Sequence, residues 1–176
     1  GLNGTGSAAT CCSSDWFKIS SYRDGAEWYM EFEEGIPKWD VCQKRPLNGN
    51  KNGTYICYKP SQKVFSAEPI HFNYEEICEQ MKEYSYFNKG ITFIIKDATT
   101  GETKTYMSKN GLMDFVKENL DKPIHKAPLH YVNSENGIDV EIILQWTSNR
   151  EEKFYLFSNG GENENGGTPI TGIKTA

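Results

Sequence analysis

Residues 1–25 have the sequence GLNGTGSAATCCSSDWFKISSYRDG, which predicts the first elements of the fold. The three glycines of residues 1–6 allow positive φ and a close approach of the backbone to a ligand. The small residues that follow predict a short helix, and alternation in residues 16–22 predicts a strand. Asp24-Gly25 is a hairpin turn signal. The stretch therefore predicts a glycine loop, a short helix and an antiparallel hairpin.

The rest of the chain predicts more hairpins and further helices. Asn73 is placed to cap a helix over residues 74–87, because Glu76 stands three residues on and completes a capping box. Pro169 suits the first turn of a helix near the end of the chain. The order predicts an α+β fold with mostly antiparallel hairpins. Strands are predicted over residues 27–33, 54–59, 91–97, 102–107, 137–146 and 153–158, a helix over 111–120, and a loop over 35–53.

Composition and charge limit the classes of function. The chain has 176 residues, 37% of them hydrophobic, which suffices for one domain or for pieces of two. The net charge is 19 − 24 = −5, whereas domains that bind nucleic acid are usually basic. We therefore expect a poor stand-alone DNA binder, and a local basic patch is the alternative that the total charge leaves open. No apolar run approaches the roughly 20 residues that span a bilayer, so we expect a cytoplasmic protein without membrane contact.

The cysteines and histidines predict no metal site. None of the five cysteines forms a CxxC pair or a zinc spacing, so buried or idle thiols are the simpler interpretation. His71, His125 and His130 are not clustered in sequence, which favours structural or surface roles. Glu27, Glu31, Glu33 and Glu34 are interpreted as solvated strand or turn charges.

The glycine loop by itself is a weak functional signal. Backbone N–H groups at the start of a helix can hold an anion, and the helix dipole adds to this attraction. The spacing is G-x-x-G-x-G, which is neither the dinucleotide-binding pattern nor a P-loop. A flexible loop is the alternative interpretation of the same residues.

Five ordered blocks of sequence favour the anion-binding interpretation of the glycine loop over the flexible loop. They are GLNGTGSAATCCSSDWFKISSYRDG, NGTYICYKP, YSYFNKGITFIIKDATTGE, DKPIH with GIDVEIILQW, and FSNGGENENGGTPITGIKTA. Together they resemble the B subunits of bacterial DNA gyrase and topoisomerase IV. The resemblance covers essentially the whole chain, and YFNKG and NGGTPITGIKTA are its most specific parts.

The resemblance implies a nucleotide site in a Bergerat-type ATPase domain. Residues 1–6 resemble the end of the family's ATP lid, whose backbone amides hold the phosphates. Thr54 matches a strand threonine that helps to recognise adenine, and Ile56 would form a pocket wall. Arg23 matches an arginine at the pocket mouth, where coumarin-type inhibitors dock. The residues expected to bind ATP are thus Gly1, Leu2, Asn3, Gly4, Thr5, Gly6 and Thr54.

The resemblance also implies a domain division and some departures from the family pattern. Residues 1–121 would be the C-terminal part of the ATPase domain, and residues 122–176 the N-terminal part of the transducer domain. Asn3 stands where histidine is common, so this position departs from the family pattern on the phosphate side. Pro169 likewise replaces a histidine.

Several catalytic groups of the family fall outside this chain. The glutamate that activates water, the asparagine that ligates magnesium and an adenine-reading aspartate lie upstream, and the lysine that reaches the terminal phosphate lies downstream. Phosphoryl transfer depends on positioning and charge stabilisation. We therefore expect an internal fragment that is inactive alone. Its parent would use ATP and Mg²⁺ and would act on DNA together with a second B subunit and the A subunits of the enzyme.

A second hypothesis comes from a different class of function. The missing catalytic groups and the net charge of −5 also suit a self-standing interaction module that kept the fold and lost the chemistry. Half of a two-layer domain leaves a sheet face or edge without a partner, which makes self-association a further expectation.

Overall fold

The computed structural model describes residues 5–47, 51–65, 69–120, 122–149, 151–159, 161–163 and 166–175. They divide into two compact units, Gly1–His71 (unit 1) and Phe72–Ala176 (unit 2). Both units contain helices and strands, which confirms the predicted α+β class. Unit 1 contains α1 (Gly6–Cys12), β1 (Ser14–Arg23), β2 (Ala26–Glu33), β3 (Ile36–Pro37), β4 (Cys42–Pro46) and β5 (Gly53–Pro60).

Unit 1 is built on a five-stranded antiparallel sheet in the order β3-β2-β1-β5, with β4 also paired to β2. The predicted turn joins β1 to β2, and Asp24 and Gly25 have φ of 53° and 70° there, as a two-residue hairpin requires. β3 and β4 lie within residues 35–53, which were predicted as a loop. They are strands because they pair with β2, and short runs without alternation carry no such signal.

The two faces of this sheet differ in chemistry, because side chains alternate along each strand. Phe17 lies at the centre of one face, buried between Phe32 at 6.0 Å and Tyr58 at 6.2 Å between ring centroids. We call this side the apolar face. By register it carries Phe17, Ile19, Ser21 and Arg23 of β1, Ala26, Trp28, Met30 and Phe32 of β2, and Thr54, Ile56 and Tyr58 of β5.

The opposite side, which we call the charged face, carries many of the ion pairs of unit 1. Its β1 residues are Trp16, Lys18, Ser20 and Tyr22, and its β2 residues are Glu27, Tyr29, Glu31 and Glu33. Glu27 was predicted to be solvated, but it is only 3% exposed. The prediction was wrong because β4 places Arg45 beside it, with Arg45 Nε 2.6 Å from Glu27 Oε2.

Unit 2 begins with the predicted helix. Asn73 Oδ1 accepts hydrogen bonds from the backbone N–H groups of Glu75 and Glu76, at 3.1 and 3.4 Å, and α2 ends at Phe87 as predicted. A hairpin, the helix α3 and a second hairpin follow. The elements of unit 2 are α2 (Tyr74–Phe87), β6 (Phe93–Lys96), β7 (Thr103–Tyr106), α3 (Leu112–Asn119), β8 (Leu129–Glu135), β9 (Ile138–Leu144), β10 (Phe157–Ser158), β11 (Gly161–Glu162) and α4 (Thr168–Thr175).

An aromatic cluster forms the core of unit 2. Phe115 of α3 is 6% exposed and packs edge-on against Tyr86 of α2, with ring centroids 5.6 Å apart. It also contacts Tyr155 at 5.1 Å and Phe157 at 5.7 Å. The cluster joins residues on both sides of the predicted domain boundary between 121 and 122. That boundary remains a prediction.

Candidate functional site

Three of the predicted site residues lie on the apolar face of unit 1. In the antiparallel register, Ser21 of β1 is opposite Thr54 of β5, and Ile19 is opposite Ile56. Arg23 follows two residues after Ser21, so its side chain leaves the sheet on the same side. Directly opposed residues have Cβ atoms about 5 Å apart. The fold therefore places Arg23 on the same face as Thr54 and Ile56, although they are 31 and 33 residues away in sequence.

A cavity of about 410 Å³ lies beside them on this face. Its walls are largely apolar, with Trp28 and Met30 of β2 and Ile19 of β1 among them. Its polar lining residues include Ser21, Arg23 and the neighbouring Asp24. Thr54 and Ile56 are not among its lining residues, because they project from β5 on the other side of β1.

Arg23 forms an ion pair with its sequence neighbour. Its Nε lies 3.0 Å from Asp24 Oδ2, and both side chains are exposed. An exposed ion pair of this kind contributes at most about 1 kcal/mol, so it holds the guanidinium only weakly. Arg23 can therefore reorient toward a ligand in the cavity at little cost.

The glycine loop is described only in part. Gly1, Leu2, Asn3 and Gly4 lie outside the described residues. Thr5 is the N-cap of α1, and its carbonyl accepts the first helical hydrogen bond, from Ala9 N at 2.8 Å. Its side chain makes no capping bond, and a Cβ on Gly6 would meet no atom within 4 Å. Among the described residues, the first turn of α1 therefore has no side-chain cap on its backbone N–H groups.

Sequence reasoning did not single out Ser21 and Trp28. Both belong to the row Trp28–Ser21–Thr54 that crosses three neighbouring strands of the sheet. Only the register shows this, since a serine and a tryptophan in alternating strands have no motif of their own. Within the described residues, no group of three or more His, Cys, Asp or Glu side chains could hold a metal ion. No helix in the described ranges is long and apolar enough to cross a membrane.

The comparisons with known proteins agree on one family. A family model described as DNA gyrase B matches residues 111–176. The chain is 28% identical over 179 residues to the DNA gyrase B subunit of Myxococcus xanthus, covering 100% of this chain and 21% of the relative. It is 32% identical over 178 residues to the DNA topoisomerase 4 B subunit of Streptococcus pneumoniae, covering 100% and 27%. The chain thus spans roughly a quarter of the length of these curated relatives.

Solved structures confirm the fold. The 43K ATPase domain of Thermus thermophilus gyrase B, solved in complex with an aminocoumarin, superposes with a TM-score of 0.84 at 20% identity, over 99% of this chain and 48% of that one. The B-subunit of the DNA gyrase from Myxococcus xanthus gives 0.77 at 18% identity, over 93% and 48%. The resemblance stated from the sequence is confirmed, and the architecture is that of gyrase B ATPase domains.

Proposed function

We propose that this chain is part of the ATP-hydrolysing B subunit of a bacterial-type type IIA DNA topoisomerase, which changes DNA topology by passing one duplex through another. The observation that carries the proposal is similarity along the whole chain, at 28% and 32% identity, to B subunits of DNA gyrase and topoisomerase IV. The fold supports it, since the structural neighbours are gyrase B proteins as well.

The apolar face is the proposed nucleotide side of the sheet. Thr54 would hydrogen-bond the adenine, Ile56 would pack against its ring, and Arg23 would stand at the mouth. Their shared face supports this grouping. The loop of residues 1–6 would hold the phosphates with backbone N–H groups at the start of α1. An aminocoumarin is bound to the Thermus gyrase B domain, and we propose that Arg23 is the residue that such a compound would meet here.

The remaining assignments are proposals of the same kind. Residues 1–121 would belong to the ATPase domain and residues 122–176 to the transducer domain. The parent would use ATP and Mg²⁺, act on DNA in the cytoplasm, and assemble with a second B subunit as well as with the A subunits. The chain alone would be inactive, since by the family resemblance the water-activating glutamate, the magnesium ligand and the phosphate-reaching lysine would belong to other parts of the parent protein.

Two measurements test the proposal. The full-length parent protein, assembled with its A partner, should hydrolyse ATP and change the linking number or catenation of plasmid DNA. The isolated chain should show no micromolar ATP affinity by calorimetry. A full-length protein that neither hydrolyses ATP nor alters DNA topology would refute the assignment and favour the interaction module.

A matched pair of substitutions tests the nucleotide side. In the full-length protein, Thr54→Val should raise the KM for ATP by roughly five- to twentyfold, because one hydrogen bond to the base is lost while the shape is kept. Thr105 is an exposed threonine in the strand β7, so Thr105→Val is the matched control and should leave KM unchanged. Equal KM values for Thr54→Val and the unsubstituted protein would remove Thr54 from the site.

A further inference from the structure

The charges of this chain are unevenly distributed between the two units. Residues 1–71 carry eight Lys and Arg and eight Asp and Glu, for a net charge of 8 − 8 = 0. Residues 72–176 carry eleven and sixteen, for 11 − 16 = −5. The acidic balance of the chain, which argued against nucleic-acid binding, therefore belongs entirely to unit 2.

The ion pairs of the charged face place their cations outermost. The side chain of Glu27 is 3% exposed, whereas Arg45, which contacts it at 2.6 Å, is 63% exposed. Glu31 is 15% exposed beneath Lys18, which is 42% exposed. Lys59, opposite Trp16 on this face, is 63% exposed, and its Nζ lies 2.9 Å from Oδ2 of Asp15, which is 30% exposed at the β-bulge of β1. In unit 2 the order is reversed for the pairs Lys104–Glu75 and Lys174–Glu152, where the acid is the more exposed partner.

Hydrogen bonds hold these carboxylates beneath the cations. Burial raises the pKa of Glu27, but hydrogen bonds from Ser20 and Arg45 outweigh it, so the pKa lies below its ordinary value. Glu31 accepts a hydrogen bond from the Tyr29 hydroxyl at 2.8 Å and from Lys38 Nζ at 3.1 Å. Most of the negative charge is therefore fixed inside the layer of side chains, and solvent meets mainly ammonium and guanidinium groups. Glu33, at the rim beside Lys38, is an exposed exception.

Aromatic rings lie among these cations. Lys44 Nζ is 4.4 Å from the ring centroid of Tyr29, and Lys51 Nζ is 4.0 Å from that of Tyr22. Tyr55 belongs to this face because it is opposite Ser20 in the register, and it is 53% exposed. A sheet surface with outward cations and an accessible ring is the arrangement that binds single strands, by phosphate contacts and base stacking.

We propose that the charged face binds single-stranded nucleic acid, with phosphates on its outermost cations and a base stacked on Tyr55. Two other ligands fit this face less well. Duplex DNA keeps its bases stacked inside, so it would contact only the cations, and an acidic protein segment has no base to stack on Tyr55. This site is separate from the proposed nucleotide side, because the charged face and the apolar face are opposite faces of one sheet.

Fluorescence anisotropy with the purified chain and labelled oligothymidylate of about ten nucleotides tests this. Binding should weaken with salt, with a log–log slope of about −2 for three phosphate contacts. Lys59→Gln should reduce that slope by about 0.7, the share of one phosphate. Tyr55→Val should weaken binding about fivefold or more without changing the slope, because a stacking partner is lost while the charges remain.

The chain provides matched controls for both substitutions. Tyr131 of β8 is 51% exposed, so Tyr131→Val removes a ring of equal accessibility from unit 2 and should leave binding unchanged. Lys82→Gln, on α2, is the corresponding control for charge. Circular dichroism of each variant verifies folding. If Tyr55→Val loses structure, the salt slope of Lys59→Gln still tests whether the charged face binds the oligonucleotide.

Three results would overturn the proposal. The first is absence of binding at about 50 mM salt, where phosphate contacts are strong. The second is an equal loss on Tyr131→Val. The third is that duplex DNA or polyglutamate binds as tightly as oligothymidylate, and that Tyr55→Val does not weaken this binding. Such a result would indicate a surface that binds polyanions or proteins in general.

Discussion

Replacing Phe115 should destabilise unit 2 more than any exposed aromatic substitution. Phe115 is 6% exposed, and its ring meets four others, those of Tyr86, Phe87, Tyr155 and Phe157, at 5.1 to 5.8 Å. Burial of about 160 Å² at about 25 cal/mol per Å² corresponds to roughly 4 kcal/mol. Removal of a buried phenylalanine ring costs about 3–5 kcal/mol when the remaining cavity is included. We therefore expect Phe115→Ala to lower the free energy of unfolding by about 4 kcal/mol.

Urea unfolding followed by near-ultraviolet circular dichroism measures this change, because the signal reports aromatic packing. Phe115→Leu keeps most of the apolar volume and should cost only about 1–2 kcal/mol. Phe72 is 66% exposed, so Phe72→Ala is the matched control and should change stability by less than about 0.5 kcal/mol. Equal midpoints for Phe115→Ala and Phe72→Ala would refute the view that this cluster is the core of unit 2.

Three further predictions concern single residues of unit 2: a helix cap, a glycine with positive φ and a carboxylate with a lowered pKa. Asn73→Ala removes the N-cap of α2 and should cost about 1 kcal/mol in urea unfolding, whereas Asn73→Ser should restore most of it. Gly111 has φ 63°, and a Cβ there would lie 3.2 Å from the Tyr86 carbonyl oxygen, so Gly111→Ala should lower Tm by several degrees, and an unchanged Tm would contradict this. The Asn110 hydrogen bond lowers the pKa of Asp114, so its stabilisation is full above the unfolded-state pKa of about 4 and is lost as pH falls through the folded value. Asp114→Asn should therefore reduce the loss of stability on acidification below about pH 4, and a pH profile identical to that of the unsubstituted chain would contradict this.

Local signals predicted the elements that short stretches of chain can specify. The cap at Asn73 and the end of α2 at Phe87 follow from side chains within one helical turn. Asp24-Gly25 predicted its hairpin because positive φ is a property of those two residues. Strands such as β8 were missed, since Leu129–Glu135 follows a proline-rich stretch and is extended because it pairs with β9.

In the candidate site, too, some features follow from the sequence and others only from contacts between distant segments. The resemblance to topoisomerase B subunits pointed to Arg23, Thr54 and Ile56, but nothing local to these residues shows that they share a face. The register of β1 with β5 decides that, and it also brings in Ser21. For Glu27 the local sequence predicts the wrong environment, because an isolated glutamate in a strand is expected to be solvated. Its burial depends on Arg45, which lies eighteen residues away in sequence.

Taken alone, the amino-acid sequence determined the α+β class, the family resemblance and the residues of the expected nucleotide site. Those conclusions rest on patterns that are complete within a few residues or on ordered motifs. Only the tertiary structure decided which side of the sheet each residue faces, which acids are buried and where the cations are outermost. The physical reason is that strand register and the depth of a charge arise from contacts between segments distant in sequence, and no local pattern or total charge encodes them.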